Sequence, residues 1–257
     1  SKARVIYSDE CDIHKSFMVD VAANCREVFD RIGEAASRSG RNPKEIKLLA
    51  ASKSQTVDKI RAAAEAGIRL FGENYVQEAE AKRSAMGGPL QWPSALGGSV
   101  EWHMIGHLQR NKVKTACDLF AVIQTLDSLE LALALDKEAK KRERPARAFI
   151  EVNLAGEDSK SGVARERVAP LLEEIGRLSY ISIEGLMAVP PFRHSPEDVR
   201  PYFRALSELR GRLRTLKAPN LDLKELSMGM THDFSVAIEE GATLVRIGTA
   251  IFGPRGE

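Results

Sequence analysis

The sequence predicts a (β/α)₈ barrel in one domain. Three observations point there. Eight short apolar runs recur along the chain, and each but the last is followed by a helix or helical turn. Strands alternating with helices build a parallel sheet with helices outside. The length of 257 residues suits eight such units, and 43% apolar against 29% charged residues is ordinary globular composition. A doubly wound open sheet is the second fold compatible with this alternation, because a strand count does not prove closure. No linker and no internal repeat divides the chain. Residues 1–257 therefore read as one domain, with 1–13 a flexible tail.

The elements follow in order. Over 15–38, Met18, Val21, Ala22, Cys25, Phe29, Ile32 and Ala36 recur at three- and four-residue spacings, which marks an extra amphipathic helix ahead of the barrel. Gly40 and Pro43 end it. Residues 46–53 form an apolar run with a polar tip at Ser52 and Lys53, a buried strand. A helix over 57–66 closes at Gly67, 68–71 is a strand, and 75–83 is helical. Residues 86–99 are rich in Gly and Pro and read as a loop. A strand over 101–105, a helix near Asn111 and a strand over 119–124 come next. Asp127 is expected to cap a helix, with Glu130 completing a capping box. A strand over 147–153 leads to a helix over 165–178, and a strand over 182–187 follows. Ser195 and Pro196 open a helix to about Arg214. The chain closes with a strand at 225–228, a helix over 234–240 ending at Gly241, and a strand at 243–247.

Composition removes several function classes. Lys plus Arg number 38 and Asp plus Glu 36, a formal charge of +2, which argues against a dedicated nucleic-acid binder. No apolar run is long enough for a transmembrane helix, and the N-terminus lacks the apolar centre of a signal peptide. Cys11, Cys25 and Cys117 are scattered, which fits a reducing cytoplasm and no metal cluster. His103 and His107 lack a third zinc ligand and read as packing or mouth-lining residues. Trp102 reads as core or barrel wall. The basic run 137–144 is interrupted by Glu138 and Glu143 and reads as a solvated helix face.

In such barrels the chemistry lies at the C-terminal ends of the strands. Lys53 stands at the tip of the first one. It is either a solvated charge or, partly desolvated at the barrel mouth, an amine able to attack a carbonyl. Residues 227–231 (Ser-Met-Gly-Met-Thr) follow the seventh strand, and Arg246, Gly248 and Thr249 follow the eighth. Loops at those two places are the usual phosphate site of this fold, where glycine admits the anion close to the backbone. A lysine, a phosphate cup and an arginine between them suggest a phosphorylated carbonyl ligand, for which pyridoxal phosphate is the obvious candidate.

Seven stretches resemble one family in order: 48–53 (LLAASK), 71–78 (FGENYVQE), 102–112 (WHMIGHLQRNK), 159–162 (SKSG), 185–187 (GLM), 226–230 (LSMGM) and 245–253 (VRIGTAIFG). This is the YggS/PROSC family of pyridoxal phosphate homeostasis proteins, which share the N-terminal barrel of alanine racemase. Thr231 departs from the family's more frequent serine but keeps the hydroxyl. The resemblance implies that Lys53 holds pyridoxal 5'-phosphate as a Schiff base. It implies that Ser227, Gly248 and Thr249 bind the phosphate, with Met228, Gly229 and Met230 around it. It also implies that Arg246 faces the pyridine nitrogen and that Asn74 lies near the ring. Lys160 matches a family lysine, either a secondary contact or a surface residue.

An arginine only donates hydrogen bonds, so it keeps the pyridine nitrogen unprotonated and the ring a weak electron sink. That disfavours transamination and decarboxylation. Racemisation needs acid–base groups on both faces of the substrate. Related racemases take the second from a tyrosine in an added domain, which this sequence is not expected to have beyond Glu257. Of Tyr7, Tyr75, Tyr180 and Tyr202, only Tyr75 falls near the mouth, where a half-buried helix residue is expected. The expected protein is a cytoplasmic, monomeric cofactor carrier whose partners are pyridoxal phosphate and apo forms of enzymes that use it, with no membrane or nucleic acid. The alternatives are a weak amino-acid racemase and a lysine-dependent aldolase-type barrel.

Overall fold

A computed structural model describes residues 19–86, 100–156 and 161–254. The tail at 1–13, Tyr7, Cys11, the loop residues 87–99 and Lys160 lie outside these residues.

The strands are β1 (Lys47–Ala51), β2 (Leu70–Glu73), β3 (Glu101–Met104), β4 (Val122–Leu126), β5 (Ala146–Asn153), β6 (Val163–Ala164), β7 (Ile181–Met187), β8 (Leu221–Ser227) and β9 (Leu244–Ile247). All but β6 form a closed ring of eight parallel strands in the order β1, β2, β3, β4, β5, β7, β8, β9, with β9 pairing back onto β1. The barrel expectation holds, and the open sheet is excluded by that last pairing. The two-residue β6 pairs with β5 outside the ring and has no counterpart in the sequence reading.

Alternation along the strands divides the apolar residues into two sets. Leu49, Val122, Phe149, Met187 and Leu244 fill the barrel interior. A larger set packs between the strands and the surrounding helices. Those helices are α1 (Val21–Arg38), α2 (Val57–Glu65), α3 (Val76–Ala85), α4 (Val113–Leu119), α5 (Leu129–Lys141), α6 (Val168–Ile175), α7 (Arg200–Leu213), α8 (Phe234–Glu239) and α9 (Thr249–Phe252).

The extra helix α1 is capped by Asp20, whose side chain accepts from Ala23 N at 2.9 Å. Its buried face carries Val21, Cys25, Val28 and Ile32. Val28 takes the place expected of Phe29, which is exposed. Asn24 Nδ2 donates to Ile251 O at 2.9 Å and so ties α1 to the end of the barrel chain.

Several boundaries move. Helix α4 runs through Leu119, so its strand starts at Val122 rather than 119. Ser128, not Asp127, caps α5, accepting from Leu131 N at 3.4 Å. Asp127 faces His107 instead, at 3.4 Å. Strand β8 starts at Leu221, four residues before Glu225, where it already pairs with Ile183 of β7. The segment at 195–214 splits into a 3₁₀ turn, Pro196–Val199, and α7. The last strand also has a helix, the single turn α9. The basic run behaves as expected, with Glu138 paired to Lys141 and Arg142. No helix among the described residues is long and apolar enough to cross a membrane.

Candidate functional site

Six strands deliver their first residues past the barrel wall to one cavity of about 400 Å³. Its lining includes Lys53 after β1, Asn74 after β2, Ile105 after β3, Val189 after β7, Met230, Thr231 and His232 after β8, and Gly248 and Thr249 after β9. Arg246, within β9, forms part of its floor. The loop backbone after β3 is pressed against Asn74: a Cβ on Gly106 would lie 2.3 Å from Asn74 O. Only glycine permits that approach.

Of the expected site residues, Lys53, Asn74, Met230, Arg246, Gly248 and Thr249 meet on this wall. Ser227, Met228 and Gly229 do not, and Ser227 and Met228 are wholly buried beneath it. Ser227 faces into the barrel one turn of chain below the mouth. Its hydroxyl donates to Gln124 Oε1 at 2.6 Å and accepts from Arg246 Nη1 at 2.6 Å. That hydroxyl therefore serves the arginine, where the sequence expectation gave it a phosphate. Gly229, at φ +91°, bends the chain so that its carbonyl accepts from Arg246 N at 3.0 Å. A Cβ there would meet Ala237 Cβ at 2.6 Å.

Arg246 is the best-anchored side chain of the site. It is 5% exposed. Besides the Ser227 hydroxyl, it donates to Ser227 O at 2.8 Å and to Ala188 O at 2.9 Å. Burial draws its guanidinium down to about 10, opposed by the carboxylates of Glu151 and Asp233. It stays protonated at neutral pH. The polar chain continues across the barrel, from Ser227 to Gln124 and from Gln124 Nε2 to His103 Nδ1 at 2.7 Å. Since Gln124 Oε1 accepts from Ser227, its amide N–H faces Nδ1, which makes His103 neutral with its proton on Nε2. Burial lowers the His103 pKa in the same sense. His103 is thus an interior packing residue, and no cluster of metal-ligating side chains occurs among the described residues.

The sequence reading missed Glu151. It lies on β5 two residues beyond the interior Phe149, so it points into the barrel. It is 8% exposed, and its Oε2 has no hydrogen-bond partner among the described residues. Burial, then the charge of Asp127, raises its carboxyl to about 7 against the pull of Arg246 and His107. The available signal was the charged residue at an inward position of a buried strand. His232 was not singled out, although it lines the cavity next to Met230 and Thr231 of the expected phosphate loop.

A stability prediction follows from Glu151. The unfolded carboxyl loses its proton near the ordinary 4.5, while the folded one keeps it to about 7. The folded state thus binds more protons between those values, and stability contributed by this group falls as pH rises through the window. Glu151→Gln removes the titration. Urea unfolding of the ligand-free protein should find the variant no more stable than the parent at about pH 4. At about pH 8 it should gain roughly 2–3 kcal/mol on that comparison.

The arrangement suits a small phosphorylated carbonyl compound. The cavity volume is within the range of ligand pockets, about 300–1,000 Å³. It combines an amine, an anchored cation, two threonine hydroxyls and a glycine turn. Other cavities, of about 220, 310 and 580 Å³, lie elsewhere, and none is lined by a lysine.

The sequence matches the family described as alanine racemase, N-terminal domain, over residues 31–256. It is 44% identical over 228 residues to a pyridoxal phosphate homeostasis protein of Aquifex aeolicus, covering 89% of this chain and 95% of that one. A crystal structure of an unknown protein from Bifidobacterium adolescentis superposes with a TM-score of 0.84 at 35% identity, covering 91% of this chain and 94% of that one. PipY of Synechococcus elongatus PCC7942, solved with PLP bound, gives a TM-score of 0.74 at 34% identity, covering 86% of this chain and all of that one.

Proposed function

Because the chain belongs to the YggS/PROSC family of pyridoxal phosphate homeostasis proteins, barrels of the alanine racemase N-terminal type, we propose that it holds pyridoxal 5'-phosphate at the barrel mouth as an intracellular carrier. The observation that carries this reading is the convergence of Lys53 and the anchored Arg246 on one cavity with Thr231, Gly248 and Thr249. Bound pyridoxal phosphate supplies an aldehyde and a pyridine ring able to delocalise negative charge. Lys53 is the amine that bonds the aldehyde carbon. Thr231, Gly248 and Thr249 take the phosphate, and Asn74 and Ile105 flank the ring. Arg246 donates to the ring nitrogen and so keeps it unprotonated. Ser227 and Ala188 fix the arginine's orientation beforehand.

Held this way, the ring would be a weak electron sink, which favours carriage over catalysis. No tyrosine lines the cavity among the described residues, and Tyr75, which caps α3, is largely exposed. Tyr75, Val189, Phe192 and Met230 are all exposed apolar residues on loops at the mouth. That suits brief contact with an apo-enzyme that receives the cofactor. We place the protein in the cytoplasm as a monomer, where its free, buried Cys25 and Cys117 stay reduced.

The test is cofactor transfer. The loaded protein, mixed with an apo-enzyme that requires pyridoxal phosphate, should restore that enzyme's activity. The loaded protein alone should racemise L-alanine no faster than free pyridoxal phosphate does. Sustained turnover by the protein itself, lost on Lys53→Ala, overturns the carrier reading in favour of a racemase.

A further inference from the structure

Both peptide groups that flank Lys53 are tied to one charged cluster on the neighbouring helix. Lys82 on α3 is buried, and its ammonium donates to Ser52 O at 2.7 Å, Glu73 Oε1 at 2.8 Å and Glu78 Oε1 at 2.7 Å. Ser52 O belongs to the peptide before Lys53. In the peptide after it, Ser54 N donates to the same Glu78 Oε1 at 2.5 Å. Ser52 Oγ completes the cluster by donating to Glu73 Oε1 at 2.6 Å.

The local sequence makes this possible. Glu73 ends β2, beside the end of β1. Glu78 and Lys82 stand four residues apart on α3, one helical turn, so both reach the same turn of chain. The turn needs holding: Ser54 adopts φ +61°, the left-handed region that costs a residue with a Cβ roughly 1–2 kcal/mol. Neither Glu78 nor Lys82 lines the cavity.

We infer that Lys82 and Glu78 are positioning residues for Lys53: by clamping the peptides on either side, they hold its amine in line for an incoming aldehyde and set the rate of covalent capture without touching the ligand. This rests on the reading of Lys53 given above. In that capture the Nζ lone pair bonds the aldehyde carbon. The carbonyl oxygen then leaves as water with the two hydrogens of the neutral amine, and a C=N bond remains. A preorganised amine reaches that geometry without a search, and a displacement of about 1 Å costs up to about a hundredfold in rate.

The experiment compares Glu78→Ala, Glu78→Gln and Lys82→Met with the parent in two measurements. One is the rate at which the visible absorption of the covalent adduct grows after mixing with pyridoxal 5'-phosphate. The other is the affinity for pyridoxine 5'-phosphate, which carries an alcohol in place of the aldehyde and forms no adduct. Glu78→Ala should slow capture about tenfold, and Glu78→Gln should restore it to within about threefold, because its amide oxygen accepts the same bonds. Lys82→Met should slow capture at least as much as Glu78→Ala. Affinity for pyridoxine 5'-phosphate should stay within about twofold throughout, since the cavity wall is untouched. Unchanged capture in Glu78→Ala overturns the inference, as does an equal loss for both ligands. Glu78 is partly exposed in the first turn of α3, so its variants decide the matter even if Lys82→Met fails to fold. A parent protein that binds pyridoxine 5'-phosphate but never captures the aldehyde overturns the Lys53 reading itself.

Discussion

Lys53→Ala should abolish covalent retention of pyridoxal 5'-phosphate. In the parent, borohydride treatment of the loaded protein should fix the cofactor on the peptide containing Lys53, read by mass spectrometry. In the variant that peptide should carry nothing, the visible band should vanish, and affinity should fall by at least about a hundredfold, roughly 2.7 kcal/mol. The neighbouring lysines cannot take over. Lys82 is buried and spends its ammonium on three oxygens. Lys59 donates to Phe252 O at 2.9 Å. Lys47 lies at the opposite end of β1, paired with Glu225 at 2.5 Å. Residual binding through Arg246, Thr231 and Thr249 should remain visible as weak, unreduced cofactor. A borohydride-fixed label on another residue, with Lys53 unmodified in the parent, would show that the amine has been misassigned.

Lys53 was legible in the sequence because a barrel places its chemistry where an apolar strand turns polar. The same rule points to Gly248 and Thr249, which line the same cavity. It does not reveal that Ser227 lies in the layer beneath the mouth, bonded to Arg246 and Gln124. Only the partners decide, and Gln124, the other half of that hydrogen bond, is 103 residues away. Glu151 was hidden for a related reason. Its strand carries Arg147 and Glu151 among apolar residues, and which of them points inward is settled only once the ring has closed and one face has become the interior. The clamp on Lys53 was equally out of reach. Glu78 and Lys82 look like an ordinary i, i+4 surface pair until α3 is packed against the turn after β1. Helix boundaries erred at Leu119 and Asp127, where propensity and capping rules offered two neighbouring choices and packing selected the other.

Arg246→Met should be the most destabilising change in the site for the ligand-free protein. Methionine fills much of the same volume, so the loss is chiefly polar. Ser227 O and Ala188 O lose a charged donor, and the Ser227 hydroxyl loses its partner. Glu151 and Asp233 lose a cation that draws their pKa values down. Against this stands the relief of no longer burying a guanidinium, whose lowered pKa marks a real desolvation cost. Removing one member of a buried charge pair generally outweighs such relief, and a net loss of about 3 kcal/mol is expected near pH 8. The loss should shrink toward about pH 5. There Glu151 is protonated in the folded state of both proteins, and no buried carboxylate is left without a cation at that position. Combining Arg246→Met with Glu151→Gln should recover at least about 1 kcal/mol more at about pH 8 than Glu151→Gln gains in the parent, because Glu151 without the arginine is a buried carboxylate with no cation beside it. Urea unfolding at the two pH values measures all three variants. Strict additivity of the two substitutions at about pH 8 would mean that Arg246 and Glu151 do not sense one another, and that three hydrogen bonds alone hold the arginine in the floor.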